Sequence, residues 1–579
     1  MPKIERHRLA LPIFIILWIL FLFGYYSWYS SSFIDMLLII IVSGPIFYLI
    51  YLVLSYKGSN SRLYGLKSLV DYLPSVKKPE GHVLFKTKFM WTVLCLILYF
   101  ALTNIFIYGL DQAQTIDVFE SFRAILAGAS GSIVHLGIGP IVTASIIMQL
   151  FVGAKIVNLD LSKTEDKAVY QETQKLLVII MILVEAVPQV YGYLQPANSV
   201  VIGLEGFAPG YGLLLANIII IAQLFLGSYL VFLMDETISK WGIGSGISLF
   251  IAAGVSQAII TGTINWIPSA GSSVPPGTIP RTFYTLSHSS AGELYSGGLE
   301  SIIFYPPNPI IALIGTISIF FIVAYIESTK IELPLSHERA RGARGRYPIK
   351  LIYASNIPVI LTSALLANIS MWSLMFWTNP TLSQIPILGS NPWFGVYPTA
   401  DQMAMWNINA NTPVGGLAYY LNRPNGLVSW LFPMINPTAY ESYFLGHAYW
   451  QHVSRVVLYF AFMVGMSIMF AKFWIETTNM GPKAVAEQIQ RGGMQIPGFR
   501  RDPRVLEKVL NKYIPAVTVF SGAAVGALAA AADMIGTTGN TSGTGVPLTV
   551  GILIQFYEAM GREQLMEMHP LMRDFIGGT

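Results

Sequence analysis

Hydrophobic positions in this chain are grouped into long runs. Twelve such runs can be marked, at 9–29, 33–56, 89–110, 134–154, 174–194, 210–233, 243–264, 309–329, 351–373, 453–475, 513–535 and 546–562. Each is long enough, at about 17 to 25 residues, to cross roughly 30 Å of hydrocarbon as an α-helix. Backbone amides have no water to bond inside a bilayer, so a chain patterned this way folds as membrane-spanning helices. The predicted class is an all-α polytopic membrane protein.

The polar positions between the runs set the topology. Of the 35 Lys and Arg residues, all but Arg123, Arg281, Arg423 and Arg455 lie on one alternating set of segments. These are the first eight residues, 57–88, 155–175, Lys240, 330–350, 472–512 and the C-terminal tail. The positive-inside rule assigns that set to the cytosol and predicts a multi-pass protein of the cell membrane with both termini cytosolic. The opposite loops 265–308 and 374–452 are poor in charge. The second holds Trp377, Trp393, Trp406, Trp430 and Trp450, which could cap an outer opening but fit better resting on the outer headgroups.

Composition narrows the choice further. Hydrophobic residues make up 54% of the 579, and charged residues only 11%, about half the usual soluble fraction. Cys95 is the single cysteine and falls inside an apolar run, so neither a disulfide framework nor a thiolate metal site is expected. No metalloprotease, nucleophile-elbow, phosphate-loop or paired-carboxylate motif occurs at a suitable depth. Catalytic residues, metal and cofactors are therefore all expected to be absent.

Residues 1–56 begin with Lys3, Arg6 and Arg8 before an apolar run, as a signal peptide would. A second apolar run follows at once and no small-x-small cleavage site stands out, so a two-helix membrane hairpin fits better. Residues 57–88 read as an amphipathic segment on the cytosolic surface, interrupted by Pro74 and Pro79. Ten spans remain. Pro140 in the second and Pro358 in the seventh echo one another, which suggests two five-span halves, 89–308 and 309–562, followed by a tail at 563–579.

A transporter for small solutes, the rival reading, should bury ionisable groups at its substrate site. Glu185 and Asp533 are the carboxylates that stand well inside the predicted spans, with His135 where the second span resumes after its break. Each reads as a cavity-facing structural group. Branched aliphatics at a spacing of four, Ile138 with Val142 and Ile247 with Ile251, put pairs on single helix faces, and from spacing alone they are core or lipid-facing positions.

Three stretches change that picture. GIGPIVTASIIMQL in the second span, GIGSGISLFIAAGVSQ in the fifth and ARGARGRYPIKLIYASNIPVILTSALLANI leading into the seventh together resemble the SecY family, nearest its archaeal branch. WIETTNMGPKAVAEQIQRGGMQIPGFR is similar to that family's loop between spans eight and nine, and the likeness runs from about Leu66 to the C-terminus. It implies a ten-helix SecY-type pore in two pseudo-symmetric five-helix halves, here with an extra N-terminal two-helix hairpin. The implied function is translocation of unfolded polypeptides across the membrane and lateral release of apolar segments into lipid.

Carried over by position, the resemblance implies a pore ring of Ile138, Val142, Ile247, Ile251, Ile360 and Leu548, the last in doubt because Pro547 stands beside it. It implies a lateral gate at Thr143 and Asn368. It also implies a plug around Thr115, Phe119, Phe122, Ile125, Leu126, Gly128, Gly131 and Ser132, a stretch that from its residues alone is a Gly-rich connector. Arg339, Arg341, Arg344, Arg346, Arg500 and Arg501 would dock the ribosome. The implied partners are SecE, the small beta subunit, the ribosome, signal peptides with nascent chains, and membrane lipid.

Overall fold

A computed structural model describes residues 63–64, 74–81, 83–111, 126–153, 156–157, 159, 161, 163–268, 273–337, 344–353, 356–379, 382–384, 389–406, 408–478, 480–491, 494–495, 503–540 and 543–568. The N-terminal hairpin expected at 1–56 and the plug positions Thr115, Phe119, Phe122 and Ile125 lie outside these residues, as do Arg339, Arg341, Arg500 and Arg501. The chain forms two compact units, Met1–Pro74 with Ile147–Val178, and Ser75–Ile146 with Ile179–Thr579. Within the first, the Tyr64 hydroxyl donates to Asp166 Oδ1 at 2.5 Å. Every site residue discussed below belongs to the second.

Each of the ten expected channel spans is a helix. In chain order these are α1 Phe85–Thr103, α2 Gly139–Gly153, α3 Thr164–Gly192, α4 Gly212–Trp241, α5 Gly246–Ile264, α6 Ile310–Ser328, α7 Ile357–Thr378, α8 Tyr449–Thr477, α9 Pro503–Ile535 and α10 Gly545–Met568. Eight of the described helices are long and apolar enough to cross a membrane; α2 is apolar but shorter. In α6, Ile314, Ile317 and Phe321 are exposed side chains of the kind that suits lipid.

Proline decides where three of these helices begin. Pro140 is the second residue of α2, Pro358 the second of α7 and Pro547 the third of α10. In the first turn the missing N–H would have had no intrahelical partner, and the fixed φ already suits a helix. The second span is thus shorter than the 134–154 expected from hydropathy. Its first residues form turns in which Gly137, at φ +56°, brings the Ile138 N–H to the Leu126 carbonyl at 2.7 Å. A Cβ at Gly137 would collide with that carbonyl, so this close approach requires glycine.

α5 starts differently. Its early N–H groups need an outside acceptor, and Asp235 on α4 supplies one, Oδ1 taking the Ile247 N–H at 2.8 Å. Nearby, residues 74–81 of the segment 57–88, expected to be amphipathic, are described and non-helical, while its last residues, from Phe85, begin α1. The 74–81 stretch is bound to the end of α4 instead: Val76 N–H donates to Glu236 Oε2 (2.8 Å), Trp241 Nε1 donates to the Lys77 carbonyl (2.8 Å), and Lys240 reaches both Glu236 (3.0 Å) and the Val76 carbonyl.

The all-helical expectation needs one amendment. β1 (Lys330–His337) and β2 (Arg344–Lys350) pair antiparallel, and β3 (Met494–Gln495) adds to β1 through Ser336↔Gln495 and His337↔Met494. Two arginine-bearing loops distant in sequence therefore share one sheet. The signal was present in KIELPLS, where Ile331, Leu333 and Leu335 alternate with Glu332, Pro334 and Ser336 at the period of a strand. Arg344 pairs in register with Ser336, and Arg346 with Pro334.

The charge-poor loop from 379 to 448 is built around its own core, where Val414, Tyr419 and Leu445 pack with Trp406. Trp430 donates to the Met534 carbonyl at 2.9 Å. Two of the five tryptophans expected at the headgroups thus serve internal contacts, while Trp393 and Trp450 are exposed.

Candidate functional site: helix starts, a polar seam and a clamped turn

Five of the six ring candidates lie near the beginnings of four helices, and the sixth, Ile138, directly precedes one of them. Ile138 precedes α2 and Val142 follows one turn later, its N–H bonded to the Ile138 carbonyl at 3.0 Å. Ile247 and Ile251 lie in the first turns of α5, Ile360 in that of α7 and Leu548 in that of α10. Ile138, Val142, Ile251, Ile360 and Leu548 are buried, and Ile247 is half-buried. Pro547 stands at the helix start, where Leu548 N–H reaches the Thr544 carbonyl at 3.3 Å, so Pro547 does not interrupt α10.

The two gate candidates are in direct contact. Asn368 Nδ2 on α7 donates to Thr143 Oγ1 on α2 at 3.1 Å. Thr143 Oγ1 in turn lies 2.8 Å from Glu185 Oε1 on α3 and donates to it, with the Gly139 carbonyl as a second acceptor at 2.9 Å. Farther along the same seam, Gln189 Nε2 reaches Met371 Sδ at 3.5 Å, and Asn379 Nδ2 donates to the Tyr191 carbonyl at 3.0 Å. α7 is thus stitched to α2 and α3 by polar contacts of modest strength.

Sequence reasoning placed Glu185 in a cavity but did not connect it to the gate candidates Thr143 and Asn368. The structure does both, since a small pocket at the seam is lined by Leu126, His135, Glu185, Gln189 and Asn368. The available signal was that Glu185 and Gln189, four apart on α3, share one face.

Of the plug candidates, Leu126, Gly128, Gly131 and Ser132 are described, and this end of the segment is clamped. The Tyr99 hydroxyl on α1 donates to the Ala127 carbonyl at 3.0 Å. Ile107 N–H reaches the Gly131 carbonyl and Ile133 N–H the Ile105 carbonyl, both at 2.9 Å. His135 Nδ1 accepts the Gly131 N–H at 3.1 Å, which fixes its tautomer with the proton on Nε2.

Asp533 belongs to a different arrangement. At the end of α9 it faces Arg423 of the charge-poor loop (3.4 Å) and accepts from the Tyr459 hydroxyl (2.6 Å), Gly543 N–H (2.6 Å) and the Thr544 hydroxyl (3.2 Å). Gly426 N–H also donates to the Asp533 carbonyl at 3.2 Å. This is an anchor for the loop. On α8, Arg455 stands over the ring of the loop residue Tyr419 at 4.9 Å; burial pushes the Tyr419 phenol up, and the cation partly offsets that. Among the described residues no group of three His, Cys, Asp or Glu side chains is placed to hold a metal ion.

Comparison with known proteins agrees with this geometry. Residues 132–557 match the SecY family and residues 97–131 match the plug domain of Sec61p. The SecY protein translocase subunit of Archaeoglobus fulgidus is 42% identical over 519 residues, covering 90% of this chain and 99% of that protein. A solved protein-conducting channel superposes with a TM-score of 0.67 at 38% identity, covering 87% of this chain and 98% of its own. Sec61 in a canine ribosome-channel complex from the endoplasmic reticulum gives a TM-score of 0.65 at 38% identity, with the same coverage. Fold and seam together define a multi-pass membrane channel subunit. The chain belongs to the SecY family.

Proposed function

We propose that this chain is the central subunit of a protein-conducting channel that moves unfolded polypeptides across a membrane and releases apolar segments sideways into lipid. The observation that carries the reading is the makeup of the helix starts: α2, α5, α7 and α10 each present branched aliphatics there, and the six positions include no polar or charged group. Ile138, Val142, Ile247, Ile251, Ile360 and Leu548 form the seal. Branched aliphatics in a narrow waist dewet it against ions, and they yield to a passing chain without binding its sequence.

The rival transporter reading demands that Glu185 or Asp533 face a central occluded solute site. Glu185 instead accepts the Thr143 hydrogen bond at the seam, and Asp533 is committed to Arg423, Tyr459, Gly543 and Thr544. A photo-crosslinking residue at Ile247 or Ile360 is expected to capture a stalled translocating chain far more strongly than one at the exposed α6 position Ile314. Equal capture at all three would refute the seal.

The seam is the lateral gate in this reading, with Glu185 added to Thr143 and Asn368. Asn368→Ala removes the donor on α7 and is expected to favour the parted state by about 0.6 kcal/mol, roughly threefold in population. Test segments of graded hydrophobicity would then integrate at a lower threshold. An unchanged threshold would show that the Asn368 contact does not bias the gate.

The segment ending at Ser132 is the plug. The charge bias supports residence in the cell membrane with both termini and the β1–β2 hairpin in the cytosol. Arg339, Arg341, Arg344, Arg346, Arg500 and Arg501 then face the ribosome, a reading favoured by the guanidinium's fit to RNA phosphate and by the likeness to Sec61 seen in a ribosome complex. SecE and the small beta subunit complete the assembly, while signal peptides and nascent chains are its clients. The channel subunit itself does no bond chemistry.

A further inference from the structure

Residues 265–308 contain a helix, Thr278–His288, whose exposed face has no counterpart in the function just proposed. Ile279, Phe283 and Leu286 recur at the i, i+4 and i+7 spacing of one helix stripe and are 53%, 68% and 51% exposed. The opposite face is spent on the protein. Thr278 Oγ1 donates to the Gly262 carbonyl at the end of α5 (3.3 Å), and Gly277 N–H bonds the Asn265 carbonyl (3.1 Å). The Arg281 guanidinium is turned inward to the carbonyls of Ser301 (3.1 Å), Tyr305 (2.9 Å) and Pro307.

We infer that this helix is an interfacial anchor whose Ile279, Phe283 and Leu286 stripe sinks into the outer lipid leaflet beside α5. Two observations select lipid as the occupant. The first is charge: from Asn265 to Gly292 the one Lys, Arg, Asp or Glu is Arg281, and its guanidinium is held by three carbonyls. A face meant for water would carry charges, and one meant for a soluble partner would usually be rimmed by them. The second is continuity. Exposed Ile260 and Ile264 on the last turns of α5 run into exposed Trp266 and Ile267, and the helix is bonded directly to that end of α5. The stripe therefore extends the apolar surface that α5 offers to hydrocarbon, with Trp266 at the depth where indoles settle.

Interfacial helices usually keep a Lys-rich face toward water. This helix has none, and its Thr278 and Arg281 are bonded to backbone carbonyls of the protein instead. The stripe would lie about 5–10 Å into the headgroup and acyl boundary. Since the inference needs only that α5 spans the membrane, it stands or falls separately from the translocation reading.

The sole cysteine makes the test clean. In a Cys95→Ala background, a nitroxide is attached at Phe283→Cys in the full chain, reconstituted into dioleoylphosphatidylcholine vesicles, and its collisions with oxygen and with a water-soluble nickel chelate are measured. Ile314→Cys on α6 gives the lipid reference and Glu300→Cys the aqueous one. The label at Phe283 is expected to match Ile314, with an oxygen-to-chelate ratio several-fold above that of Glu300, and Ile279→Cys should repeat the result if Phe283→Cys folds poorly. Chelate access equal to that at Glu300 would place the stripe in water. Low access to both reagents would mean that protein covers it, and either outcome overturns the assignment.

Discussion

Arg423→Ala is expected to cost about 3–5 kcal/mol of stability, the range found when one member of a buried ion pair is removed. Both partners are almost wholly shielded, and the substitution leaves the Asp533 carboxylate buried without its cation. The Tyr459, Gly543 and Thr544 donors still bond it, yet hydrogen bonds alone do not replace a neutralising charge. Loss should also release the loop, because Gly426 and Trp430 dock on the Asp533 and Met534 carbonyls beside the pair. Unfolding of the purified protein in detergent, with limited proteolysis between 379 and 448, reads both effects. Combining Arg423→Met with Asp533→Leu should recover much of the loss. A cost below about 1 kcal/mol, the worth of a solvated surface pair, would show that the anchor is wet and carries little.

Deleting Thr115–Ser132 is expected to raise the ion conductance of the reconstituted protein by on the order of tenfold or more, as a blocked funnel becomes an aqueous path to a thin aliphatic seal. The structure refines the design. Leu126–Ser132 is bonded to α1 and to the residues after it through Tyr99, Ile105 and Ile107, so removing it disturbs more than a stopper. A shorter deletion, Thr115–Ile125, spares that clamp. Both variants should leak. Conductance unchanged in both would end the plug assignment, and leak confined to the longer deletion would trace the effect to lost packing around Ile138.

Most of the fold was legible because a bilayer leaves the backbone few choices. Every channel span read from hydropathy is a helix, and the errors lie at ends such as 134–138, where Gly137 and Pro140 together override an apolar run. The seam was half legible. Thr143 and Asn368 stand 225 positions apart, and only a family resemblance could pair them; the one local sign of Glu185 is the helix face that it shares with Gln189. Asp533 lies in its expected span as a structural group, but its partner could not be read, because Arg423 stands 110 residues earlier in a loop whose own structure has no periodic signature. The β1–β3 pairing was missed because β3 is two residues long and its partner lies far away in sequence.

That small sheet also has a mechanical meaning. A hairpin braced by a third strand is stiff, and its base is fastened at two points: Lys350 of β2 to Glu558 of α10 at 2.6 Å, and Asn356, at the head of α7, to Glu327 of α6 at 3.3 Å. These contacts tie the described end of the hairpin to the roots of α7 and α10. Those two helices carry Ile360, Leu548 and the Asn368 contact, so under the function proposed above a load on the sheet would reach the seal and seam candidates together.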